Sequence, residues 1–177
     1  MTEINEEIFK EIPDFDDYMI SNFGRVKSFK QNKNGKILKY SLVDGYYVVY
    51  LTNIYGKIIT KRIHKLLAEL FILNPNNLSF VDHINNDRLN NNLSNLRWCT
   101  CAQNQFNRSK QKRKSSSQYK GVYWNKQNQK WRANVNFEGK NYYLGYFASE
   151  IEAALAYNQT ARKFFKTFAK LNEIDES

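Results

Sequence analysis

The apolar positions change period several times along the chain. In DGYYVVYLTNIYGKIITKR, residues 44–62, β-branched and aromatic runs are broken at Asp44-Gly45 and Tyr55-Gly56. Such runs, punctuated by pairs that tolerate tight backbone geometry, predict hairpin strands. Residues 18–62 read as strands and turns throughout, with a further turn at Asn34-Gly35 before Ile37 and Leu38. The period then lengthens: Ile63, Leu66, Leu67, Leu70 and Phe71 fall at i, i+3, i+4, i+7 and i+8 and predict a short helix, ended by Asn74-Pro75. FVDHI and LRWC read as two short strands around an asparagine-rich loop. Thr100 and Gln103 have capping-box spacing, which predicts a helix carrying Asn104 and Asn107.

Residues 107–118, NRSKQKRKSSSQ, are basic, rich in serine and without apolar period, the composition of a linker that could also track a phosphate backbone. Beyond them the pattern predicts three short strands. In KWRANVNF, Trp131, Ala133, Val135 and Phe137 alternate with Lys130, Arg132, Asn134 and Asn136, so one face can pack while the other stays polar. Glu138-Gly139 makes a turn, and Ser149 with Glu152 forms a capping box before a helix whose Ala154, Tyr157, Ala161 and Phe165 can cover the sheet. The fold class that follows is α+β, assembled from small modules.

Charge narrows the function. The 177 residues carry a formal +10, unevenly placed. Residues 1–18 hold seven acids and one base, residues 19–80 ten bases and two acids, and residues 108–140 ten bases and one acid. Two basic blocks suit a polyanion, because each neutralised phosphate releases counterions. A solvated surface or an anionic membrane would also suit them, but no basic amphipathic helix supports a membrane. The chain has no long apolar run and no signal-peptide pattern near Met1, so it is expected to be soluble and intracellular. Cys99 and Cys101 lack the paired partners of a zinc site and read as ordinary reduced side chains.

The chemistry-bearing candidates lie in VDHINNDRLNNNLSNLRWCTCAQNQFN, residues 81–107. Phosphodiester hydrolysis needs an activated water and a cation for the developing charge. A neutral histidine such as His83 can take the water proton, and a carboxylate such as Asp82 can hold a hard divalent ion, with an asparagine amide oxygen as second ligand. On a strand Asp82 and His83 point to opposite faces, so a shared site requires a kink or an edge. The competing reading makes His83 a hydrogen-bonded structural histidine and the asparagines turn formers, and spacing alone leaves both open. Asn85, Asn86, Asn90, Asn91 and Asn92 read as loop formers. His64 reads as a packing or hydrogen-bonding residue, and Trp98 as core.

The run VDHINNDRLNNNLSNLRW…NQFN, with the preceding RIHKLLAELFILNPN, resembles the HNH motif of phage-type homing endonucleases over residues 62–107. The resemblance implies a ββα-metal nuclease around one divalent cation, magnesium or alternatively manganese. It implies His83 as general base, Asp82 and Asn104 as metal ligands, and Asn95 as the residue bracing the loop that carries the base. Many HNH enzymes have histidine where Asn104 stands. Residues 8–29 resemble the small module that often precedes this nuclease, with Phe9 in place of its usual early tryptophan, and make Arg25 and Lys27 candidate DNA contacts.

Residues 118–172, through YKGVYW, KWRANV, YYLGYF and EAALAYNQTARKFF, resemble the Apetala-2/ethylene-response-factor type DNA-binding domain. That resemblance implies a sheet in the major groove, with Tyr123, Lys126, Arg132, Asn134 and Tyr143 toward DNA and Trp131, Leu144 and Phe147 in the core. The organisation expected is an N-terminal strand-rich module (1–61), an HNH nuclease (62–107), a basic linker (108–117) and a DNA-binding domain (118–177). The function expected is site-preferring cleavage of double-stranded DNA, one nick per active site, by a monomer with no obligate protein partner. The alternatives are a non-catalytic DNA-binding regulator and, with no motif to support it, an RNA-binding protein.

Overall fold

A computed structural model describes residues 6–108 and 115–174, so residues 109–114 of the expected linker lie outside the described residues. The chain forms several small antiparallel sheets with few helices, in two compact units, residues 1–100 and 101–177.

In the first unit, β1 (Phe9–Ile12), β2 (Phe15–Ser21), β3 (Val26–Ser28) and β4 (Lys36–Ile37) make a four-stranded sheet in chain order. A second sheet joins β5 (Ser41–Val43), β6 (Tyr46–Thr52) and β7 (Ile58–Arg62). The β5–β6 turn is the expected two-residue one, with Asp44 and Gly45 both at positive φ, 52° and 78°, the twist that fits flanking strands. Strand β7 runs directly into α1 (Ile63–Phe71), which buries Ile63, Leu66 and Leu67 as its period predicts. The helix stops at Phe71, ahead of Asn74-Pro75. Strands β8 (Phe80–His83) and β9 (Leu96–Cys99) form a two-stranded ribbon in which Asp82 opposes Arg97 and His83 opposes Leu96.

One core serves these pieces: Ile12, Phe15, Tyr18, Ile20 and Val26 from the first sheet, Val49 and Leu51 from β6, the α1 residues, and Leu96. The segments expected to be an N-terminal module and a nuclease therefore share their buried apolar surface. Trp98, expected in the core, is half-buried, and its indole N–H donates to the Ile72 carbonyl at 3.1 Å.

The second unit begins with α2 (Cys101–Phe106), which ends before Asn107 rather than carrying it. Phe106 stacks on Phe165, centroids 4.3 Å apart. The Lys120 ammonium donates to the carbonyls of Phe106 and Arg108, at 2.8 and 2.7 Å, satisfying oxygens at the C-terminal end of α2. Strands β10 (Val122–Asn125), β11 (Lys130–Phe137) and β12 (Lys140–Phe147) make a three-stranded antiparallel sheet. The helix α3 (Glu150–Phe165) starts at the expected capping box, with Ser149 Oγ accepting from the Glu152 amide at 3.1 Å. Ala153, Ala154 and Ala161 are fully buried, and these short side chains let α3 lie close on Val122, Ala133 and Val135. Trp131, Leu144 and Phe147 pack against this core. A bulge between Ala133 and Asn134, with Leu144 as the extra residue of β12, interrupts the register.

Candidate active site

The loop between β8 and β9 is held by its own asparagines. The Asp87 amide donates to Asn85 Oδ1 (2.8 Å), Leu89 to Asp87 Oδ1 (3.0 Å) and Asn92 to Asn90 Oδ1 (3.3 Å). Each side chain caps the backbone two residues on, the reason Asn and Asp dominate such turns. Asn86 takes φ 65°.

Asn95 ties both ends of this loop. Its Oδ1 accepts from the Asn85 amide at 3.1 Å and its Nδ2 donates to the Asn90 carbonyl at 2.7 Å. Alanine at this position leaves an amide and a carbonyl without those partners, at a cost of about 1–3 kcal/mol. Thermal unfolding of Asn95→Ala is expected to show that loss, and Asn95→Asp, which keeps the acceptor, is expected to fall between the two.

Asp82 and His83 are both 5% exposed and leave β8 in different directions. The Asp82 Oδ2 accepts from Arg97 Nε (2.9 Å) and Nη2 (2.8 Å), a cross-strand ion pair with little solvent around it. At the end of β8, the His83 Nε2 lies 3.0 Å from Asn91 Oδ1. Its ring meets His64 edge-on, centroids 4.9 Å apart, and Tyr46 at 6.1 Å. Tyr46 in turn lies 4.9 Å from His64. The β6–β7 hairpin, the start of α1 and the end of β8 thus bring the rings of Tyr46, His64 and His83 together.

His64 packs on the rings of both Tyr46 and His83. It is buried, and its Nδ1 has no hydrogen-bond partner among the described residues. Burial, then the neighbouring His83, Arg62 and Lys65, hold its pKa down to about 3, so the ring is neutral. In the unfolded chain it would protonate near its ordinary 6.5. Between those values the unfolded state binds the extra proton. The stability tied to neutral His64 is therefore present above pH 6.5 and is lost as the pH falls toward 3, at up to about 1.4 kcal/mol per pH unit. Urea unfolding of the native chain and of His64→Leu, compared across that window, is expected to show a steeper acid loss in the native chain.

Sequence reasoning missed Arg97, Asn91, Tyr46 and the packing of His64 on His83. Arg97 could have been found from the pairing of FVDH with LRWC, because register alone puts it opposite Asp82. Asn91, read as a loop former, also touches His83. Tyr46 carried no signal, since its approach depends on how a hairpin folds against a helix.

The remaining candidates are distributed. Asn104, half-buried on α2, belongs to the second unit. Arg25 is engaged by Glu7 in a two-pronged ion pair, and Lys27 Nζ lies 4.2 Å from the Phe9 ring centroid. On the sheet face away from α3, Asn134 Oδ1 accepts from Tyr123 Oη (3.2 Å) and Arg132 Nε (3.1 Å). The Arg132 guanidinium lies over Tyr123 and Tyr143, 5.6 and 5.0 Å from their centroids. Asn134 is 9% exposed and committed to this network, so it orients Arg132 rather than standing out from the sheet. Lys126 is exposed in the β10–β11 turn, apart from that cluster.

Among the described residues no group of three or more His, Cys, Asp and Glu side chains could hold a metal. A cation here would depend on carboxylate and amide oxygens, a donor set that fits a hard divalent ion and not zinc. No helix among the described residues is long and apolar enough to cross a membrane.

Residues 75–106 match the family model of HNH endonucleases, and residues 7–52 match that of the NUMOD4 motif. The chain is 44% identical over 102 residues to the uncharacterized HNH endonuclease L247 of Acanthamoeba polyphaga mimivirus, covering 55% of this chain and 25% of that protein. It is 37% identical over 92 residues to the H-N-H endonuclease F-TflII of Escherichia phage T5, covering 51% of this chain and 46% of that one. A solved structure, described as DNA binding and cleavage by the HNH homing endonuclease I-HmuI, aligns at 36% identity over 52% of each chain, with a TM-score of 0.46. The chain thus spans about half or less of each of these proteins.

Proposed function

We propose that this protein is an HNH-type DNA endonuclease of the homing kind, hydrolysing a phosphodiester bond in duplex DNA with His83 as general base. The observation that carries the reading is the setting of His83, buried at the end of β8 within a segment that matches the HNH endonuclease model. With Asn91 Oδ1 as the acceptor, His83 Nε2 donates to it, and Nδ1 is proposed as the nitrogen that acts as base. The Asn95 brace and the Asn91 contact hold the loop and the ring in one orientation, which saves the entropy of positioning the base. His83 Nδ1 takes a proton from a water molecule as the water oxygen attacks phosphorus; the bond from phosphorus to the 3′ oxygen breaks, and that oxygen takes a proton from solvent, giving a 5′ phosphate and a 3′ hydroxyl.

Asp82, oriented by Arg97, is proposed as one ligand of a divalent cation, magnesium or manganese. Asn104 is proposed as the second from its place at the end of the HNH motif. When bound, the ion supplies Lewis-acid stabilisation of charge on the phosphate oxygens. The C-terminal sheet is proposed as a DNA reader of the Apetala-2/ethylene-response-factor type, supported by its three strands on one helix and by Arg132 held between tyrosines on the open face. Arg25 and Lys27 are proposed as contacts of the N-terminal module, Arg25 after exchanging Glu7 for phosphate. Tyr123 and Tyr143 flank Arg132 in the reader, Asn134 orients it, and Lys126 reaches the backbone from the turn.

Supercoiled plasmid incubated with the full chain and magnesium or manganese is expected to convert to nicked circles, and not to do so in chelator. Tight binding without nicking, across divalent ions and many sequences, would overturn the enzyme and favour a regulator.

A further inference from the structure

The first unit contains four arginines, and the structure divides them into two kinds. Arg25 is paired with Glu7 and Arg97 with Asp82. Arg62 and Arg88 are exposed, and among the described residues neither is in an ion pair. Both instead lie over one ring: their guanidinium carbons are 4.6 and 4.9 Å from the centroid of Tyr46. Arg88 also reaches back to the Asp44 carbonyl at 3.4 Å, a long contact to the turn that leads into Tyr46.

Two cations gathered on one tyrosine repel each other. The ring face offsets part of that through cation–π attraction, and an anion between them would offset more. The guanidinium fork matches phosphate oxygens in pairs, which a lysine cannot do. A second source of positive potential is at hand. Arg62 is the N-cap residue of α1, no side chain among the described residues caps that end, and its first turn has no acid. The helix therefore presents amide N–H groups and the positive end of its dipole beside Arg62. The same Tyr46 ring packs on His64 and approaches His83.

We infer that Tyr46, Arg62 and Arg88 form a cradle for a backbone phosphate of duplex DNA, which seats the strand against His83. As a neighbour of the scissile phosphate the cradle rests on the nuclease reading; as a phosphate site it stands on the arginine geometry alone. It is built by the β6–β7 hairpin and the β8–β9 loop. It differs from the Arg25 and Lys27 contacts in holding its charges ready, with no ion pair to break first. Because it touches a phosphate and not a base edge, it adds affinity and register without sequence preference.

The test is DNA binding by the full chain in chelator, on two unrelated duplexes, at several salt concentrations. Arg62→Ala and Arg88→Ala are each expected to weaken binding to both duplexes alike and to lower the slope of log affinity against log salt by about 1. The double variant is expected to lower it by about 2. Arg62→Lys and Arg88→Lys keep a charge and are expected to retain most of the slope while slowing nicking, since the planar fork is gone. Slopes unchanged in both alanine variants, with thermal unfolding unchanged, would overturn the cradle. So would a loss confined to one duplex, which marks base readout, or a native chain that binds no DNA. Normal slope losses in a chain that nicks under no divalent ion would leave the cradle standing and remove the nuclease reading.

Discussion

Replacing His83 with alanine is expected to slow nicking by about 10²–10⁴-fold, the usual contribution of a positioned general base, while the chain stays folded. The ring is buried between His64, Tyr46 and Asn91, so its removal also opens a small cavity and frees the Asn91 oxygen. That costs stability of roughly 1–3 kcal/mol, a loss that should appear in the melting temperature and not in DNA affinity. His83→Gln separates the two effects. It keeps a polar group of similar reach near Asn91 but offers no basic nitrogen, so it is expected to recover much of the stability and none of the rate. Single-turnover nicking at saturating DNA is the measurement, because it reports the chemical step apart from binding.

The second large effect belongs to the second unit. Gly121→Ala is expected to destabilise the second unit by about 3 kcal/mol or more. Gly121 has φ +76°, where a Cβ is strained, and an added Cβ would lie 2.6 Å from the Asn134 carbonyl oxygen and overlap the ring of Tyr157. Neither neighbour can give way cheaply: the Asn134 amide is bonded to the Gly121 carbonyl at 2.9 Å, and Tyr157 is buried under the sheet. Strain and overpacking each cost about 1–3 kcal/mol. Calorimetry of the full chain is expected to show the transition of residues 101–177 lowered by roughly 10–20 °C. A shift of only a degree or two would mean that α3 sits less tightly on the sheet than Tyr157 and Gly121 place it.

The parts of the fold legible in the sequence are those with local causes. Asp44-Gly45 and Glu138-Gly139 form their turns because consecutive residues at positive φ suit a two-residue hairpin. Helix α1 follows its apolar period, and α3 starts at Ser149 because Ser149 and Glu152 satisfy each other's backbone. Longer-range features were not legible. The start of β6 meets the start of α1 and the end of β8 through packing, so the Tyr46–His64–His83 cluster had no signature in spacing. His64 reads as a packing or hydrogen-bonding residue because period describes which face it lies on, not that its Nδ1 finds no hydrogen-bond partner among the described residues. The Leu144 bulge was equally hidden: alternation in KWRANVNF is regular, and the irregularity lies in its partner strand.

The site itself was legible in part. His83, Asp82 and Asn95 stand out as residue types, and the structure adds what each touches: Asn91, Arg97, and the backbone of Asn85 and Asn90. The DNA-facing candidates divide differently. Arg25 looked like an available cation in sequence, but Glu7 lies beside it in the fold. Arg62 and Arg88 carry no distinguishing signal in the sequence, and they are the two arginines of the first unit that are in no ion pair among the described residues.

The central claim is that the His83 imidazole is the base, and chemical rescue of its absence tests this most directly. His83→Ala, assayed on supercoiled DNA with magnesium under single-turnover conditions, is expected to nick far more slowly than the native chain. Added imidazole, small enough for the space between Tyr46, His64 and Asn91, is expected to restore part of that rate, rising with the concentration of its neutral form. Nicking by His83→Ala at the native rate, with no response to imidazole, would contradict the account.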